Sequence, residues 1–484
     1  MTTKSLKDRA LTGMLWSGFG NIFLQVLQFL FSIVLARILT PEDYGLTAIL
    51  MIFYSLSMLF IDSGFSNALV RKEQLTQKDK STAFFYNVFL GLICYIVLYV
   101  FAPFIADFYG KPILSSLLRV YGLTVVIVPF MLIQNMQLGR DINFKKIAEV
   151  NIISTLLSNI LAIILACLGF GVWSLIYMYL SSVAIGVILY WKFSSWRPSL
   201  VFSKASFRYI FNFSSKMLLD GAIQTVINNL NNILIGKVFS PSILGFYSKA
   251  STLASLPSNA VNQVVLTVSF PVLSKIQRER ERLFANYRKI IRLSAYMMFP
   301  LLIGLAAVAH PLVILVYTEK WASCVPYLQI LCFSFLFSPI LSLNKNILEV
   351  LNRPDLVLKI RMINTILFVL IVVVALQFGM LGLCWGMVCI SLVNFIINTC
   401  FVSHISEISF TSQIKDILPI LLNSLVMGFL VFLVSNINIA LILQVILSIV
   451  VGITYYVLSS YCLRLPEMYE VIGLIKEKIK SKSS

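Results

Sequence analysis

The sequence predicts an all-α polytopic membrane protein with about 14 transmembrane helices, arranged as two parallel six-helix lobes and a C-terminal two-helix hairpin. Of the 484 residues, 59% are hydrophobic and only 12% are charged, and the mean hydropathy is +0.91. Soluble globular chains contain about 25% charged residues. Three further observations predict the arrangement, namely the number of long apolar segments, the distribution of basic residues and an internal repeat.

Fourteen apolar segments are long enough to cross the ~30 Å hydrocarbon core of a bilayer. They lie at 14–38, 44–66, 83–106, 113–138, 147–169, 172–193, 207–236, 243–272, 290–316, 322–346, 357–376, 379–403, 417–435 and 439–463. The first segment follows Lys4, Lys7 and Arg9, as a signal peptide would. It is too long for such a peptide and has no Ala-x-Ala cleavage site, so we expect a retained helix.

Basic residues are distributed unequally between the two sides of the predicted membrane. Thirty of the 38 Lys and Arg residues lie on the side of the N-terminus, and only Lys111, Lys237 and Lys320 lie in loops on the other side. By the positive-inside rule this predicts cytoplasmic N- and C-termini and an even number of spans. Because the basic residues are scattered over short loops, the net charge of +18 does not indicate a nucleic-acid partner.

A ten-residue pattern recurs after the first and the seventh predicted span. Residues 36–45 read Ala-Arg-Ile-Leu-Thr-Pro-Glu-Asp-Tyr-Gly, and residues 236–245 read Gly-Lys-Val-Phe-Ser-Pro-Ser-Ile-Leu-Gly. So long a period indicates duplication of a whole lobe, which is typical of transporters, and an even number of spans per lobe makes the repeats parallel. We therefore predict an N-lobe at 1–200, a C-lobe at 201–410, and a hairpin with a basic cytoplasmic tail at 411–484.

Weaker echoes support the duplication. Pro129 in the fourth span corresponds to Pro339 in the tenth, and residues 107–111 before the fourth span correspond to 316–320 before the tenth. The last two spans have no counterpart and contain no charged residue from 417 to 463. We expect this hairpin to face lipid acyl chains, the alternative being an appendage that only packs against the second lobe.

Charged residues inside or at the ends of the predicted spans are few and mostly basic. Apart from the residues counted above on the side of the N-terminus, the basic ones are Arg37, Arg119, Lys216, Lys249 and Lys345, and the acids that clearly accompany them are Asp62 and Asp220. An ionisable residue at the bilayer centre costs at least about 2.5–3.5 kcal/mol, so it usually faces a partner or a wet cavity. We take the cations other than Lys345 as candidate substrate-binding residues and the two acids as candidate ion-coupling residues.

Several of these residues have a structural alternative. Arg37 and Lys345 lie near span ends, where long side chains can reach water. Lys216 and Asp220 are four residues apart on one helical face, so they can neutralise each other.

For the remaining charges, the sequence favours one lysine. Asp62 lies late in the second span and can pair with Arg71 or Lys72. Arg119 and Lys249 lie about six residues inside their spans, without a carboxylate at helical spacing. Lys249 is therefore the strongest single candidate for lining a cavity.

Spans 7 and 8 are also rich in amides and hydroxyls, which is unusual for helices that face lipid. As polar cavity lining we select Asn228, Asn232, Asn259 and Gln263. Amides and hydroxyls suit sugar hydroxyls, and cations with few compensating acids suit phosphate. The alternative is that these side chains hydrogen-bond neighbouring helices together.

The sequence contains no pattern typical of an enzyme or of a cofactor site. It lacks a Gly-x-x-x-x-Gly-Lys-Ser/Thr stretch, so we expect no ATP hydrolysis by the chain itself. The eight cysteines form no Cys-x-x-Cys pair, and His310 and His404 are isolated, so we expect neither a metal nor a cofactor. No nucleophile, base and orienting residue occur in a recognisable arrangement.

Three segments near the N-terminus closely resemble the Wzx-like polysaccharide flippases of the multidrug, oligosaccharidyl-lipid and polysaccharide exporter superfamily. They are Ser5-Leu6-Lys7-x-Arg9-Ala10-x-x-Gly13-x-x-Trp16, residues 35–45 and residues 62–71, which read Asp-Ser-Gly-Phe-Ser-Asn-Ala-Leu-Val-Arg. These motifs cover about the first 75 residues. The number of spans and the two-lobe repeat extend the likeness over the whole chain.

The resemblance implies two six-helix bundles around a central cavity that opens alternately to each side. Its expected substrate is an undecaprenyl-diphosphate-linked oligosaccharide, moved from the inner to the outer leaflet of the bacterial cytoplasmic membrane. Coupling to H⁺ or Na⁺ and contact with other polysaccharide assembly proteins are further expectations. In related lipid II flippases, cavity cations hold the diphosphate and the last two helices form a groove for the lipid tail.

Two alternatives remain open at this point. A cation-coupled multidrug exporter of the same superfamily should favour acidic cavity residues, whereas this chain has five intramembrane cations and two acids. A membrane-embedded glycosyltransferase or polysaccharide polymerase would use the same polyprenyl substrates. Such enzymes commonly place acidic catalytic residues on a sizeable external loop, and every external loop predicted here is short.

Overall fold

The computed structural model describes residues 6–62, 69–406, 408–470 and 473, and the regular structure in these ranges is entirely helical. The predicted all-α membrane fold is therefore confirmed. Contacts between Cα atoms divide the chain into two compact units, Met1–Gly245 and Phe246–Ser484.

The first unit contains the following helices. They are α1 (Leu6–Ile38), α2 (Pro41–Asp62), α3 (Gln77–Tyr109), α4 (Ile113–Tyr121), α5 (Leu123–Ile127), α6 (Pro129–Arg140), α7 (Phe144–Cys167), α8 (Val172–Phe193) and α9 (Lys204–Val238). Helix α10 (Pro241–Lys275) begins in this unit and continues in the second.

The second unit continues with further helices and one short 3₁₀ helix, Glu319–Cys324. The helices are α11 (Arg280–Ala307), α12 (Ala309–Tyr317), α13 (Val325–Phe335), α14 (Ser338–Val350), α15 (Pro354–Leu376), α16 (Gly379–Ile405), α17 (Phe410–Ser435) and α18 (Leu441–Cys462).

Each of the fourteen predicted spans is helical over most of its described residues, but not all have the apolarity of a typical span. Within the described residues, ten helical segments are long and apolar enough to cross a membrane, or eleven if the bent pair Ile113–Ile127 and Pro129–Arg140 counts as one. Helices α9 and α10 are long enough but are not among them, and α1 has a shorter apolar stretch, Ile22–Ile38. The number fourteen therefore stays a prediction.

The two corresponding prolines of the repeat, Pro129 and Pro339, each lie in the first turn of a helix that follows an interruption of the preceding helix. A bend of 40° separates the segment ending at Ile127 from α6, and Pro129 is the first residue of α6. In the second unit, α14 begins at Ser338 and has Pro339 in its first turn. Proline lacks an N–H and fits the first turn of a helix, where that donor has no intrahelical partner.

The repeated ten-residue motif forms two helix starts that are capped by hydroxyls. Before Pro41, the Thr40 hydroxyl accepts from the Asp43 amide at 3.3 Å, and the Asp43 carboxylate accepts from the Thr40 amide at 2.8 Å. Before Pro241, the Ser240 hydroxyl accepts from the Ile243 amide at 3.2 Å. Both copies thus place a capping hydroxyl and then a proline at the first helical position.

The glycine that ends each copy lies where the two helix starts touch. A Cβ atom added to Gly45 would collide with the carbonyl oxygen of Pro241, and one added to Gly245 would collide with that of Pro41. All four residues belong to the first unit. The contact is reciprocal, as expected when duplicated segments meet across a local pseudo-twofold axis.

The segment between α8 and α9 is bound to the start of α3. The Trp196 indole donates to the Gln77 side chain at 2.6 Å, and the Gln77 amide donates to the carbonyl of Arg197 at 2.7 Å. The Ser199 amide donates to the Ser81 hydroxyl at 3.0 Å.

The predicted lobe boundary at 200/201 falls in the segment between α8 and α9. Helix α9 packs against α2 and α3, so the contact-defined first unit extends beyond that boundary.

The C-terminal hairpin packs on the second unit through one face only. Helix α17 packs against α11, and α18 packs against α12 and α17. Buried Met427, Val431, Val445 and Tyr456 form a core with Val308. The other faces of the hairpin expose large apolar side chains, which is what lipid contact requires.

Candidate functional site

Lys249 is buried inside the second unit, against two aromatic rings. Only 6% of the residue is exposed. Its Nζ atom lies 5.2 Å from the ring centroid of Tyr317 and 5.9 Å from that of Trp321. These distances allow a cation–π interaction, which strengthens away from water. The structure therefore places Lys249 in an aromatic site, which we call the Lys249 cage.

Local chain geometry brings the two rings of the Lys249 cage together. Tyr317 is the last residue of α12, and Thr318 has a positive φ of 76° that ends the helix. The 3₁₀ helix that follows returns Trp321 to within 6.0 Å of Tyr317, ring centroid to ring centroid. Both rings are almost fully buried, so they cover the ammonium group of Lys249 in this structure.

Arg119 lies in the last turn of α4, in the first unit. Its guanidinium carbon lies 4.5 Å from the ring centroid of Tyr99, and its Nε atom is buried without a hydrogen-bond partner. The residue as a whole is partly exposed. Arg119 thus resembles Lys249 in lying on an aromatic face, but it retains access to the surface of its unit.

The remaining charged candidates are placed as follows. Arg37 is exposed in the last turn of α1, and Asp62 is the partly buried last residue of α2. Lys216 and Asp220 belong to α9, but their side chains lie outside the part of the chain that the structure describes. Their predicted roles stay predictions.

Lys345 and Lys72, for which the sequence allowed structural roles, each form an ion pair. The Nζ atom of Lys345 lies 3.6 Å from a carboxylate oxygen of Glu349, one helical turn away, and the Lys345 side chain is about half exposed. Lys72, a predicted partner of Asp62, instead pairs with Asp79 at 2.7 Å. Lys345 is therefore a surface residue, and Lys72 stabilises the start of α3.

On α9, the predicted polar residues point in different directions. Asn228 is exposed and accepts from the Gln224 amide at 2.8 Å. Asn232 is partly buried. The neighbouring Asn229 donates to the Ser55 hydroxyl of α2 at 3.1 Å. One face of α9 thus bonds to α2, and the other presents amides at its surface within the first unit.

On α10, one polar face is bonded to α14. The hydroxyls of Ser258 and Ser338 lie 2.5 Å apart, and the Asn262 amide donates to Ser338 at 3.1 Å. Ser342 donates to the Asn262 side-chain oxygen at 3.0 Å, and Asn346 donates to Ser269 at 3.0 Å. These contacts are the interhelical hydrogen bonds expected in membrane proteins.

A second polar face of α10 is exposed within its unit. Thr252, Asn259 and Gln263 are exposed, and Ser255 between them is partly exposed. Their spacing of three to four residues places them along one side of a helix. We call this row the α10 polar face. An exposed amide such as that of Asn259 can both donate to and accept from a hydroxyl-rich ligand.

Several important residues have no signal in the sequence that identifies their role. Tyr99 lies 20 residues from Arg119, and Tyr317 and Trp321 lie about 70 residues from Lys249. In the sequence, residues 316–320 are distinguished only by their correspondence to residues 107–111 in the repeat. Aromatic residues are abundant throughout the chain, so only their packing distinguishes the ones that hold a cation.

Ion pairs join the predicted cytoplasmic end of α11 to α17 and to the segment that follows α18. The Arg288 guanidinium donates to both carboxylate oxygens of Asp416 at 2.7 Å, and Arg292 pairs with Glu467 at 3.1 Å. Burial raises the pKa of the Glu467 carboxyl above its ordinary value. These pairs hold the apolar hairpin to the rest of the second unit. They also neutralise part of the positive charge of residues 275–292.

Comparison with known proteins places this arrangement in a family. The family model described as "Polysaccharide biosynthesis protein" matches residues 34–326, which is more than half of the chain. The chain belongs to this family.

Two relatives of the chain are named for the biosynthesis of lipopolysaccharide and of teichuronic acid. The lipopolysaccharide biosynthesis protein WzxC of Escherichia coli K12 is 26% identical over 397 residues, 81% of each chain. The teichuronic acid biosynthesis protein TuaB of Bacillus subtilis 168 is 26% identical over 435 residues, 89% of this chain and 90% of its own. The resemblance to Wzx-like polysaccharide flippases is therefore confirmed.

Solved structures show the same fold. The lipid II flippase MurJ, in an inward closed conformation, superposes with a TM-score of 0.76 over 93% of this chain and 99% of its own, at 18% identity. An inward-facing multidrug resistance transporter of the MATE family gives a TM-score of 0.58 over 80% of this chain and 96% of its own, at 16% identity. The family member described here therefore has the fold of the MOP superfamily, and it is a multi-pass membrane protein.

Proposed function

We propose that this protein is a flippase that moves an undecaprenyl-diphosphate-linked oligosaccharide from the cytoplasmic to the outer leaflet by alternating access, for surface polysaccharide biosynthesis. The observation that carries the proposal is the α10 polar face on a helix long enough to span a membrane. Thirty-five residues make a helix about 52 Å long. In a polysaccharide biosynthesis protein, the ligand best suited to such a row of amides and hydroxyls is a glycan.

The diphosphate of this substrate needs cations. Burying phosphate charge without donors is very costly, and lysine and arginine provide charge-assisted hydrogen bonds. We assign this role to Lys249, Lys216 and Arg119, with Arg37 as a cation near the end of α1. Because the Lys249 cage is closed, Lys249 can meet a diphosphate only after Tyr317 or Trp321 moves. Alternating access provides the conformational change that such a movement requires.

The polyprenyl tail has different requirements from the sugar. It stays in the hydrocarbon region, and the exposed apolar faces of α17 and α18 support a role for the hairpin in contacting it. We place the protein in the bacterial cytoplasmic membrane with both termini in the cytoplasm. Asp220 or Asp62 would bind a coupling H⁺ or Na⁺, and other polysaccharide assembly proteins would supply and use the substrate.

The proposal describes a transporter and not an enzyme. The alternative transporter, a cation-coupled multidrug exporter, would need acids to bind its cationic substrates. The four candidate cations Arg37, Arg119, Lys216 and Lys249 outnumber the candidate acids Asp62 and Asp220, which favours an anionic substrate instead.

The test uses a bacterial strain that lacks its own polysaccharide flippase. Expression of this protein should restore one surface polysaccharide and reduce the corresponding lipid-linked intermediate that accumulates in the strain. The Lys249→Met variant keeps the volume of the buried side chain and removes its charge, so we expect normal protein level and at least a tenfold loss of export. The matched control is Lys345→Met at the surface, which should export normally. Normal export by Lys249→Met would exclude Lys249 as a substrate-binding cation.

A further inference from the structure

A groove with a volume of about 320 Å³ lies in the first unit, between α2, α3 and α9. Apart from the hydroxyl of Tyr109, its lining side chains are apolar. They are Ile52, Phe53 and Leu56 from α2, Phe104, Ile105, Phe108 and Tyr109 from α3, and Ile233 from α9. No residue proposed above to bind the transported substrate lines this groove.

The groove is accessible from the surface of the first unit. Phe104 is 67% exposed and Phe108 is 47% exposed, whereas Ile52 is buried at the opposite wall. The two phenylalanines lie four residues apart on α3, one of the helices apolar enough to span a membrane. An apolar opening on such a helix faces hydrocarbon in a bilayer, so its occupant must be apolar as well.

A cation lies beside one end of the groove. The Nζ atom of Lys237 is 2.5 Å from the carbonyl oxygen of Phe108 and 4.3 Å from the centroid of its ring. An ammonium group has three donors, and the carbonyl accepts one of them. The acid Glu42 of α2 is already paired with Lys111 at 2.7 Å. The charge at this end therefore favours an anionic group next to an apolar chain.

We propose that this groove binds one hydrocarbon chain of an anionic phospholipid, whose phosphate lies on Lys237. The volume is roughly ten times the ~30 Å³ that one water molecule occupies in the liquid, which suits a segment of one acyl chain. By the distribution of basic residues, Lys237 is on the external side, so the lipid belongs to the outer leaflet. This binding site is independent of the proposed transport activity.

The experiment uses the full-length protein in phosphatidylcholine vesicles that contain phosphatidylglycerol with a diazirine near the end of one acyl chain. After irradiation, mass spectrometry locates the lipid adducts. We expect them to concentrate on Ile52–Leu56 and Phe104–Tyr109. The variant Leu56→Trp fills the groove and should reduce these adducts at least fivefold. The control Ile188→Trp, at a strongly exposed apolar position of α8, should leave them unchanged.

A second variant tests the headgroup without changing the packing of the unit, because Lys237 is exposed. Lys237→Gln should lower labelling by the phosphatidylglycerol probe about threefold and should not change labelling by the matched phosphatidylcholine probe. The control Lys320→Gln should change neither. The proposal is overturned if adducts spread evenly over exposed apolar residues such as Phe89, or if Lys237→Gln has no effect. Displacement of the probe by an equimolar polyprenyl phosphate would also overturn it, because the site would then belong to the carrier lipid.

Discussion

The start and the middle of α10 are held by different kinds of contact. At its start, Gly245 meets Pro41 and Gly45 of α2, backbone against backbone. Further along, Ser258 and Asn262 hydrogen-bond to α14. Helices in a membrane gain little from apolar burial against each other, so small residues at close crossings and interhelical hydrogen bonds are what hold them together.

The difference between these two places explains how α10 can pack against its neighbours and still carry the face proposed to bind the substrate. The glycine contact requires the absence of a side chain and leaves no room for a ligand. The polar contact uses only the side of the helix that carries Ser258 and Asn262. Asn259 and Gln263 lie on another side and stay exposed, so the contact with α14 leaves the α10 polar face uncovered.

The largest effect is expected at the glycine contact. Gly45→Ala or Gly245→Ala adds a Cβ that collides with a backbone carbonyl, and such a group cannot move without displacing a helix. We expect a loss of stability on the order of 3 kcal/mol or more. It would be measured as a lower thermal transition of the detergent-solubilised protein and as lost polysaccharide export.

The control for these variants is Gly186→Ala in α8. The nearest atom to its new Cβ would be the Met131 sulfur at 3.5 Å, an ordinary contact. Because alanine favours helix by up to about 1 kcal/mol over glycine, this variant should be unchanged or slightly more stable. A normal thermal transition for both Gly45→Ala and Gly245→Ala would mean that the close crossing does not determine stability.

A smaller effect on stability is expected at the hydrogen bonds between α10 and α14. Asn262→Ala removes hydrogen bonds to Ser338 and Ser342 and should cost about 0.6 to 1.7 kcal/mol, the usual range for such bonds in membranes. Ser338→Ala should cost a similar amount. In the double variant the losses should not add, because both residues belong to one network. Additive losses in thermal-shift measurements would show that the two side chains act separately.

Removal of each capping hydroxyl shows how much that cap contributes to the stability of the protein. Thr40→Ala should cost about 1 kcal/mol, because Thr40 and Asp43 cap each other. Ser240→Ala should cost less, about 0.5 kcal/mol, since the residue three positions later is isoleucine and returns no bond. Thermal shifts of the two variants, measured side by side, check this order. Equal shifts would contradict it.

The smallest effect on stability is expected on the α10 polar face. Asn259→Ala and Gln263→Ala change exposed side chains, so stability should stay within about 0.5 kcal/mol of the unmodified protein. Export should nevertheless fall, because the variants remove hydrogen-bonding groups proposed to contact the glycan. Quantification of surface polysaccharide at equal protein level provides the measurement. Full export by the double variant would remove this face from the proposed site.

Much of the fold could be predicted from the sequence because its signals are local. Apolar segments predict helices wherever about 20 residues suit the hydrocarbon core. The pattern Thr40-Pro41 and its copy Ser240-Pro241 predict helix starts, since capping depends on residues three or four positions apart. The duplicated Gly45 and Gly245 were recognisable as a repeat, and the structure adds that the two copies touch.

The candidate site was predicted less completely. The polar residues of α10 were all open to two interpretations, and the structure assigns Ser258 and Asn262 to contacts with α14 while leaving Asn259 and Gln263 exposed. Lys249 was expected to line a cavity, and the structure shows a side chain covered by Tyr317 and Trp321. No spacing in the sequence relates residues so far apart.

The sequence by itself determined the membrane class, the helices, the repeat and the family, because hydropathy, helix capping and family motifs depend on residues that are close together in the chain. Only the tertiary structure decided which side of a helix faces its neighbour, which aromatic rings hold a cation and where a groove opens. The physical reason is that small residues, amides and aromatic rings serve equally well in packing and in binding. Their role depends on the atoms that the fold brings within a few ångströms.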